Sequence, residues 1–286
     1  MGKRGWILLL AGLALLAIAC DAEAGAQPGA SGRPGASARP AGGITAMAAL
    51  GDSISNGFAS CLAPSPCPRN SWATGDGTKV NSHYKRLFKD DPGLKGGNHN
   101  FAAANARADA LAGQAVEAVR VSPRYVTVLI GADDACRGRL ADMTPADEFR
   151  RGVDAALAVL KQRAPDARVL VASIPDINRL WEIGHTNKLA VQAWNFGLCP
   201  ALLAEPTSNA PDVVARRNAF AERVDAYNEQ LAAACRAYGP RCRTDGGAVH
   251  RVRFTLDMVA AQDFFHPNAA GQTALASAAW AGSPTW

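Results

Sequence analysis

The sequence is poor in the short signatures that mark metal sites. None of its seven cysteines forms a C-x-x-C pair and no H-E-x-x-H occurs, so neither common zinc pattern is present and no metal is expected. Long apolar runs are missing too. The run at 6–19 has only fourteen residues, short of the roughly 20 a helix needs to cross a bilayer. Charge of one sign is scarce: the formal net charge is +5 over 286 residues, and two of those charges are Lys3 and Arg4. The remaining basic residues are scattered rather than blocked, so no nucleic-acid partner is expected. No internal repeat is visible, which excludes a solenoid or propeller.

A basic start followed by the apolar stretch to Ala19 reads as a signal peptide over residues 1–19. Two exits are open. Ala17-Ile18-Ala19 before Cys20 fits a bacterial lipoprotein cleavage site, although Ala17 stands where Leu is usual, and Ala22-Glu23-Ala24 fits ordinary cleavage. Residues 20–43 are rich in Gly, Pro, Ala and Ser with little to bury, the composition of a flexible tether. The folded domain is expected over 44–286, outside the cytoplasm or in the cell envelope.

An exported chain oxidises its cysteines. Six lie in the folded body, and Cys20 stands apart as the candidate for lipidation, the single expected membrane attachment. Short loops favour Cys61–Cys67 and Cys235–Cys242, which leaves Cys136 for Cys199.

Strands are predicted at 46–50, 98–102, 125–130 and 168–174, with a further short one at 252–255. Helices are predicted at 81–89, 107–120, 188–203, 213–238 and 268–280. One more runs from a Thr144 cap, with Pro145 at its first position and Asp147 and Glu148 in its first turn, to Arg163. Strands alternating with helices predict an α/β fold with a parallel sheet covered on both faces.

Two stretches carry chemistry. In the first, an apolar strand hands over to a helix through Gly51-Asp52-Ser53. A serine there sits at the carboxyl edge of the sheet, where open α/β folds place ligands, and next to a helix N-terminus, which favours negative charge. Helix capping alone would also explain Ser and Asp at this point. In the second, Asp263-Phe264-Phe265-His266-Pro267-Asn268 precedes the last helix. A carboxylate three residues from an imidazole can fix its tautomer, and Pro267 keeps His266 out of the helix. A neutral imidazole there could take the proton of Ser53.

Together, Gly51-Asp52-Ser53-Ile54-Ser55 and Asp263-x-x-His266 resemble the SGNH, or GDSL, family of serine esterases and lipases, over roughly residues 46–279. The likeness is greatest to secreted members with three disulfides. It implies a three-layer α/β/α sandwich with a flavodoxin-like sheet, Ser53 as nucleophile, His266 as base and Asp263 as its orienting partner. It implies no cofactor, a monomer, and a small-molecule, lipid or acylated-glycan ester as substrate. No G-x-S-x-G occurs, which argues against the other large esterase fold.

The middle blocks depart from the family pattern. The glycine whose N–H helps bind the oxyanion falls on Asn105, a residue type that tolerates left-handed backbone. The Gly-x-Asn-Asp block reads Gly131-Ala132-Asp133-Asp134, so the amide donor is replaced by a carboxyl, which only accepts when ionised. The implied oxyanion hole is therefore the Ser53 N–H, the Asn105 N–H and Asp133. Either a protonated Asp133 or the Asn105 side chain could supply the third donor. The same departure keeps open a weak or inactive protein that binds a glycan or acyl ligand. His83, His99, His185 and His250 lack partners at a telling spacing. Arg107, Asp142, Asp147 and Glu148 read as surface residues, and Trp181, Trp194 and Phe196 as packing or cleft aromatics.

Overall fold

A computed structural model describes residues 43–280. The expected leader, both cleavage points, Cys20 and all of the tether but Gly43 lie outside the described residues. Five strands form one sheet: β1 (Met47–Gly51), β2 (Asn98–Asn100), β3 (Tyr125–Leu129), β4 (Arg168–Val171) and β5 (Cys242–Thr244). Their order is β2-β1-β3-β4-β5 and every pairing is parallel. β1 and β3 are buried along their whole length, as expected of central strands covered on both faces.

The helices are α1 (His83–Asp90), α2 (Leu111–Ala118), α3 (Ala132–Ala135), α4 (Ala146–Arg163), α5 (Asn178–Gly184), α6 (Lys188–Trp194), α7 (Pro200–Leu203), α8 (Pro211–Tyr238) and α9 (Ala269–Ala279). α2, α4 and α8 pack side by side as one layer, where Phe149 of α4 stacks on Tyr227 of α8. α1 and α9 are tied together through His83, whose Nε2 lies 3.1 Å from the Ala276 carbonyl and whose Nδ1 lies 2.9 Å from the Tyr125 hydroxyl. Burial holds this imidazole at a pKa of about 3, so His83 is a neutral core residue bridging α1, β3 and α9.

Several expectations are corrected. The fifth strand is Cys242–Thr244, not 252–255. As an edge strand with Arg241 and Arg243 about Cys242, it has no apolar run to announce it. Residues 252–255 instead form an extended loop that buries Phe254. The helix expected over 188–203 breaks into α6 and α7, because Gly197 and Cys199 adopt positive φ (89° and 46°) and Pro200 starts a new turn. Thr144 does not cap α4. Pro145 occupies the cap position, and the Thr144 carbonyl accepts from Arg223 Nη1 at 3.0 Å and from the Tyr227 hydroxyl. The helix expected at 107–120 is a 3-10 turn, α2 and a second 3-10 turn. α5 was not anticipated.

Disulfides join Cys61–Cys67, Cys136–Cys199 and Cys235–Cys242, the expected pairing. Among the described residues no helix is long and apolar enough to cross a membrane.

The turn after β1 has little steric freedom. Gly51 has φ of 144°, and a Cβ there would lie 2.0 Å from the Leu129 carbonyl oxygen of β3. Neither backbone can yield without breaking the β1–β3 ladder. Gly51→Ala is therefore expected to destabilise the fold by roughly 3 kcal/mol, a fall in Tm of about 6–12 °C; thermal unfolding followed by circular dichroism checks it.

Candidate active site

In the sheet, the chain order reverses beside β1, with β2 on one side and β3 on the other. The crevice above the carboxyl ends of strands at such a point is where α/β folds bind ligands. Gly51 ends β1 there, clamped by Gln114 of α2, whose Oε1 accepts from the Gly51 N–H (2.7 Å) and whose Nε2 donates to the Gly51 carbonyl (2.9 Å). Asp52 follows, fully buried. Its Oδ1 accepts from the Ile54 N–H at 3.0 Å and its Oδ2 from the Ala132 N–H at 3.3 Å, so this side chain joins the Ser53 turn to the start of α3. Burial, reinforced by the nearby Asp133 carboxyl, pushes Asp52 well above the usual carboxylate range.

Ser53 and His266 lie 213 residues apart in sequence, yet Ser53 Oγ is 3.1 Å from His266 Nε2. His266 Nδ1 is 2.8 Å from Asp263 Oδ2. The other Asp263 oxygen accepts from the backbone N–H groups of Phe265 (2.8 Å) and His266 (3.0 Å). With Nδ1–H donating to the carboxylate, Nε2 presents its lone pair to the serine hydroxyl. The turn that permits this contains Phe264 at φ 53°, an unfavourable conformation for an aromatic residue. It is held by Trp194, whose indole N–H donates to the Phe264 carbonyl at 3.2 Å. Phe58 flanks the imidazole with ring centroids 4.7 Å apart. Asn268 caps α9 through Ala270 and Gly271 and also donates to the carbonyls of Asp257 and Val259, fixing the loop before the histidine.

The residues expected around the oxyanion also converge. Asn105 is left-handed, with φ of 63°. Its backbone N–H lies near enough to the Asp133 carboxyl to favour its ionised form. Burial raises the Asp133 pKa, opposed by the charges of His266 and Arg137 and by that N–H. Its Oδ2 is buried without a hydrogen-bond partner. Asp134 points elsewhere: its Oδ2 accepts from the Ala108 N–H at 3.0 Å, and burial lifts its pKa to about 6. Ser53, Phe58, Asn105, Asp133, Arg137 and His266 all border one cleft of about 410 Å³. A more apolar groove of about 490 Å³ shares Gly197 and Leu198 with it and includes Leu189, Phe196 and Phe264. No group of three or more metal-ligating side chains with suitable placement occurs among the described residues.

Of the remaining candidates, Trp194 is buried and Trp181 lies under the Arg217 guanidinium at 4.1 Å, while Phe196 is 86% exposed on the groove rim. Arg107 pairs with Asp109, Asp142 with Arg139 and Asp147 with Arg151 on the surface. His185 and His250 bond backbone carbonyls and His99 stacks on Phe101. Two supporting residues, Gln114 and Gln272, and one cleft residue, Arg137, were not singled out. Gln272 accepts from the Trp72 N–H at 2.8 Å and donates to the Ile54 carbonyl at 2.9 Å. A polar residue on the face of α9 that also carries Leu275, Ala276 and Ala279 was the available signal.

Comparison with characterised protein sequences gives no match. Among solved structures, the chain is similar to a protein designated a GDSL-like lipase of Parabacteroides merdae, at 12% identity and a TM-score of 0.50, with 84% of this chain and 96% of that one covered. It is also similar to an extracellular lipase of Streptomyces rimosus (18% identity, TM-score 0.48, covering 84% and 100%). A third is a phospholipase A1 of Streptomyces albidoflavus (18%, TM-score 0.46, covering 81% and 96%). At 12% identity the likeness to the Parabacteroides protein concerns the fold alone. The family model is more specific, matching residues 49–274 and so spanning both the Ser53 turn and the His266 loop, and by that match the chain belongs to the GDSL-like lipase/acylhydrolase family.

Proposed function

We propose that this hydrolase cleaves carboxylic esters through an acyl-serine formed on Ser53. The observation that carries the reading is the continuous relay of Ser53 Oγ, His266 and Asp263, with links of 3.1 and 2.8 Å. His266 Nε2 takes the hydroxyl proton as Ser53 Oγ bonds to the acyl carbon. The carbonyl oxygen gathers the negative charge and is met by the N–H groups of Ser53 and Asn105 and by Asp133 in its protonated form. His266 then gives its proton to the departing alkoxide. Water, deprotonated by the same nitrogen, releases the acid and frees the serine. Asp263 keeps the imidazole oriented throughout and stabilises the imidazolium.

Small and medium acyl esters, including acylated glycans and lipids, are the substrate class. Action outside the cytoplasm is supported by the three disulfides, which persist in oxidising compartments. Labelling with a fluorophosphonate probe tests the nucleophile, since only an activated serine reacts readily. Wild type is expected to label and Ser53→Ala to remain unlabelled. A wild-type protein that does not label, though folded, would favour instead a non-catalytic binder of acyl or glycan ligands, in which Asp133 has silenced the old hole.

A further inference from the structure

Arg137 is a cation in the cleft with no assigned task. It borders the same cavity as Ser53 and His266. Its Nε is buried and has no hydrogen-bond partner, and its guanidinium forms no ion pair within 4.0 Å among the described residues. Asp142, on the next turn, is taken by Arg139 through two contacts of 2.9 and 2.8 Å. The other carboxyl group that interacts with the guanidinium is Asp133, whose Oδ2 is itself unpartnered. The placement of Arg137 is fixed rather than incidental. It follows Cys136, which is bonded to Cys199, and its carbonyl accepts from the Ala201 N–H at 2.9 Å. Gly138 and Gly197 line the same space.

The Arg137 side chain borders the cleft and is paired with no carboxylate among the described residues, so its guanidinium is available to an anionic group entering beside Ser53. A guanidinium presents a planar fork suited to carboxylate and phosphate oxygens. From this we infer that Arg137 selects ester substrates carrying an oxyanionic group, carboxylate or phosphate, close to the scissile bond. The inference rests on the assignment of Ser53 as nucleophile for its turnover arm alone.

The test compares two matched pairs: mono-p-nitrophenyl succinate against p-nitrophenyl butyrate, and 1-butyrylglycerol 3-phosphate against monobutyrin. The first pair places a carboxylate on the acyl side and the second a phosphate on the alcohol side, so the pair that responds identifies the group. In that pair, Arg137→Gln is expected to lower the anionic-to-neutral ratio of kcat/KM by about 10- to 100-fold, mainly through KM, and Arg137→Lys to recover part of it. An unchanged ratio in both pairs overturns the inference. A second arm is independent of catalysis. Calorimetric titration of Ser53→Ala with mono-p-nitrophenyl succinate and with glycerol 3-phosphate should show binding of at least one probe that the Ser53→Ala, Arg137→Gln double variant loses. Failure of wild type to react with fluorophosphonate would remove the nucleophile and leave this titration to decide on Arg137; equal heats in both variants would then overturn it.

Discussion

Asp263→Asn is expected to lower kcat on p-nitrophenyl acetate roughly 10⁴-fold while the protein stays folded. Asp263 makes three hydrogen bonds, two to backbone N–H groups through Oδ1 and one to the imidazole through Oδ2. In the asparagine variant the carbonyl oxygen satisfies the two backbone donors, which are fixed by the turn. The amide NH2 is then left facing Nδ1. A donor there forces the proton onto Nε2, the nitrogen that must accept from Ser53. Geometry survives and the base is lost, so the fall belongs in kcat rather than KM. Thermal unfolding confirms that the variant is folded, and a loss below tenfold would show that His266 is not the base or that Asp263 does not orient it.

The second large effect has the opposite sign. Asp133→Asn is expected to raise turnover at alkaline pH by about 10²-fold, the usual worth of one oxyanion donor. An ionised carboxylate beside the developing oxyanion can only accept and adds repulsion, whereas the protonated acid can donate. Burial raises the Asp133 pKa above the ordinary carboxylate range, so the neutral form persists to higher pH than on an exposed aspartate. Below its titration the wild-type group donates and above it the donor is gone. The wild-type rate should therefore fall as pH rises while the asparagine variant holds, and the variant-to-wild-type ratio should grow with pH. The profile of kcat for both proteins checks it. A lower rate for Asp133→Asn at every pH would mean that the carboxyl contributes something an amide cannot.

The legible parts of the fold and site are those encoded locally. Ser53, Asp263 and His266 stand in short segments whose glycine, proline and spacing restrict the backbone, so their places at the strand end and before the last helix are readable without tertiary contacts. Asn105 is similar, because few residues other than glycine accept its left-handed conformation. The apolar runs at β1, β3 and β4 mark central strands for the same local reason. β5 escaped because an edge strand buries little. The 188–203 helix was overextended because the left-handed backbone of Cys199, the partner of Cys136 63 residues away, leaves no mark in the local sequence beside Gly197 and Pro200. Arg137, Gln114 and Gln272 owe their significance to what folding sets beside them. A glutamine clamping a backbone turn from a distant helix has no pattern of its own, and an arginine without an acceptor is visible only after every other carboxylate has been placed.

The two halves of the relay come from the first strand and from the loop before the last helix. The Ser53 hydroxyl has no base within its own segment, and the His266–Asp263 pair has no hydroxyl partner within its own. The sheet must close around β1, and the loop before α9 must dock beside it, before Ser53 and His266 meet. Assembly of the relay is thereby tied to folding of the domain, and a chain that stops before Asp263 holds only one half of it.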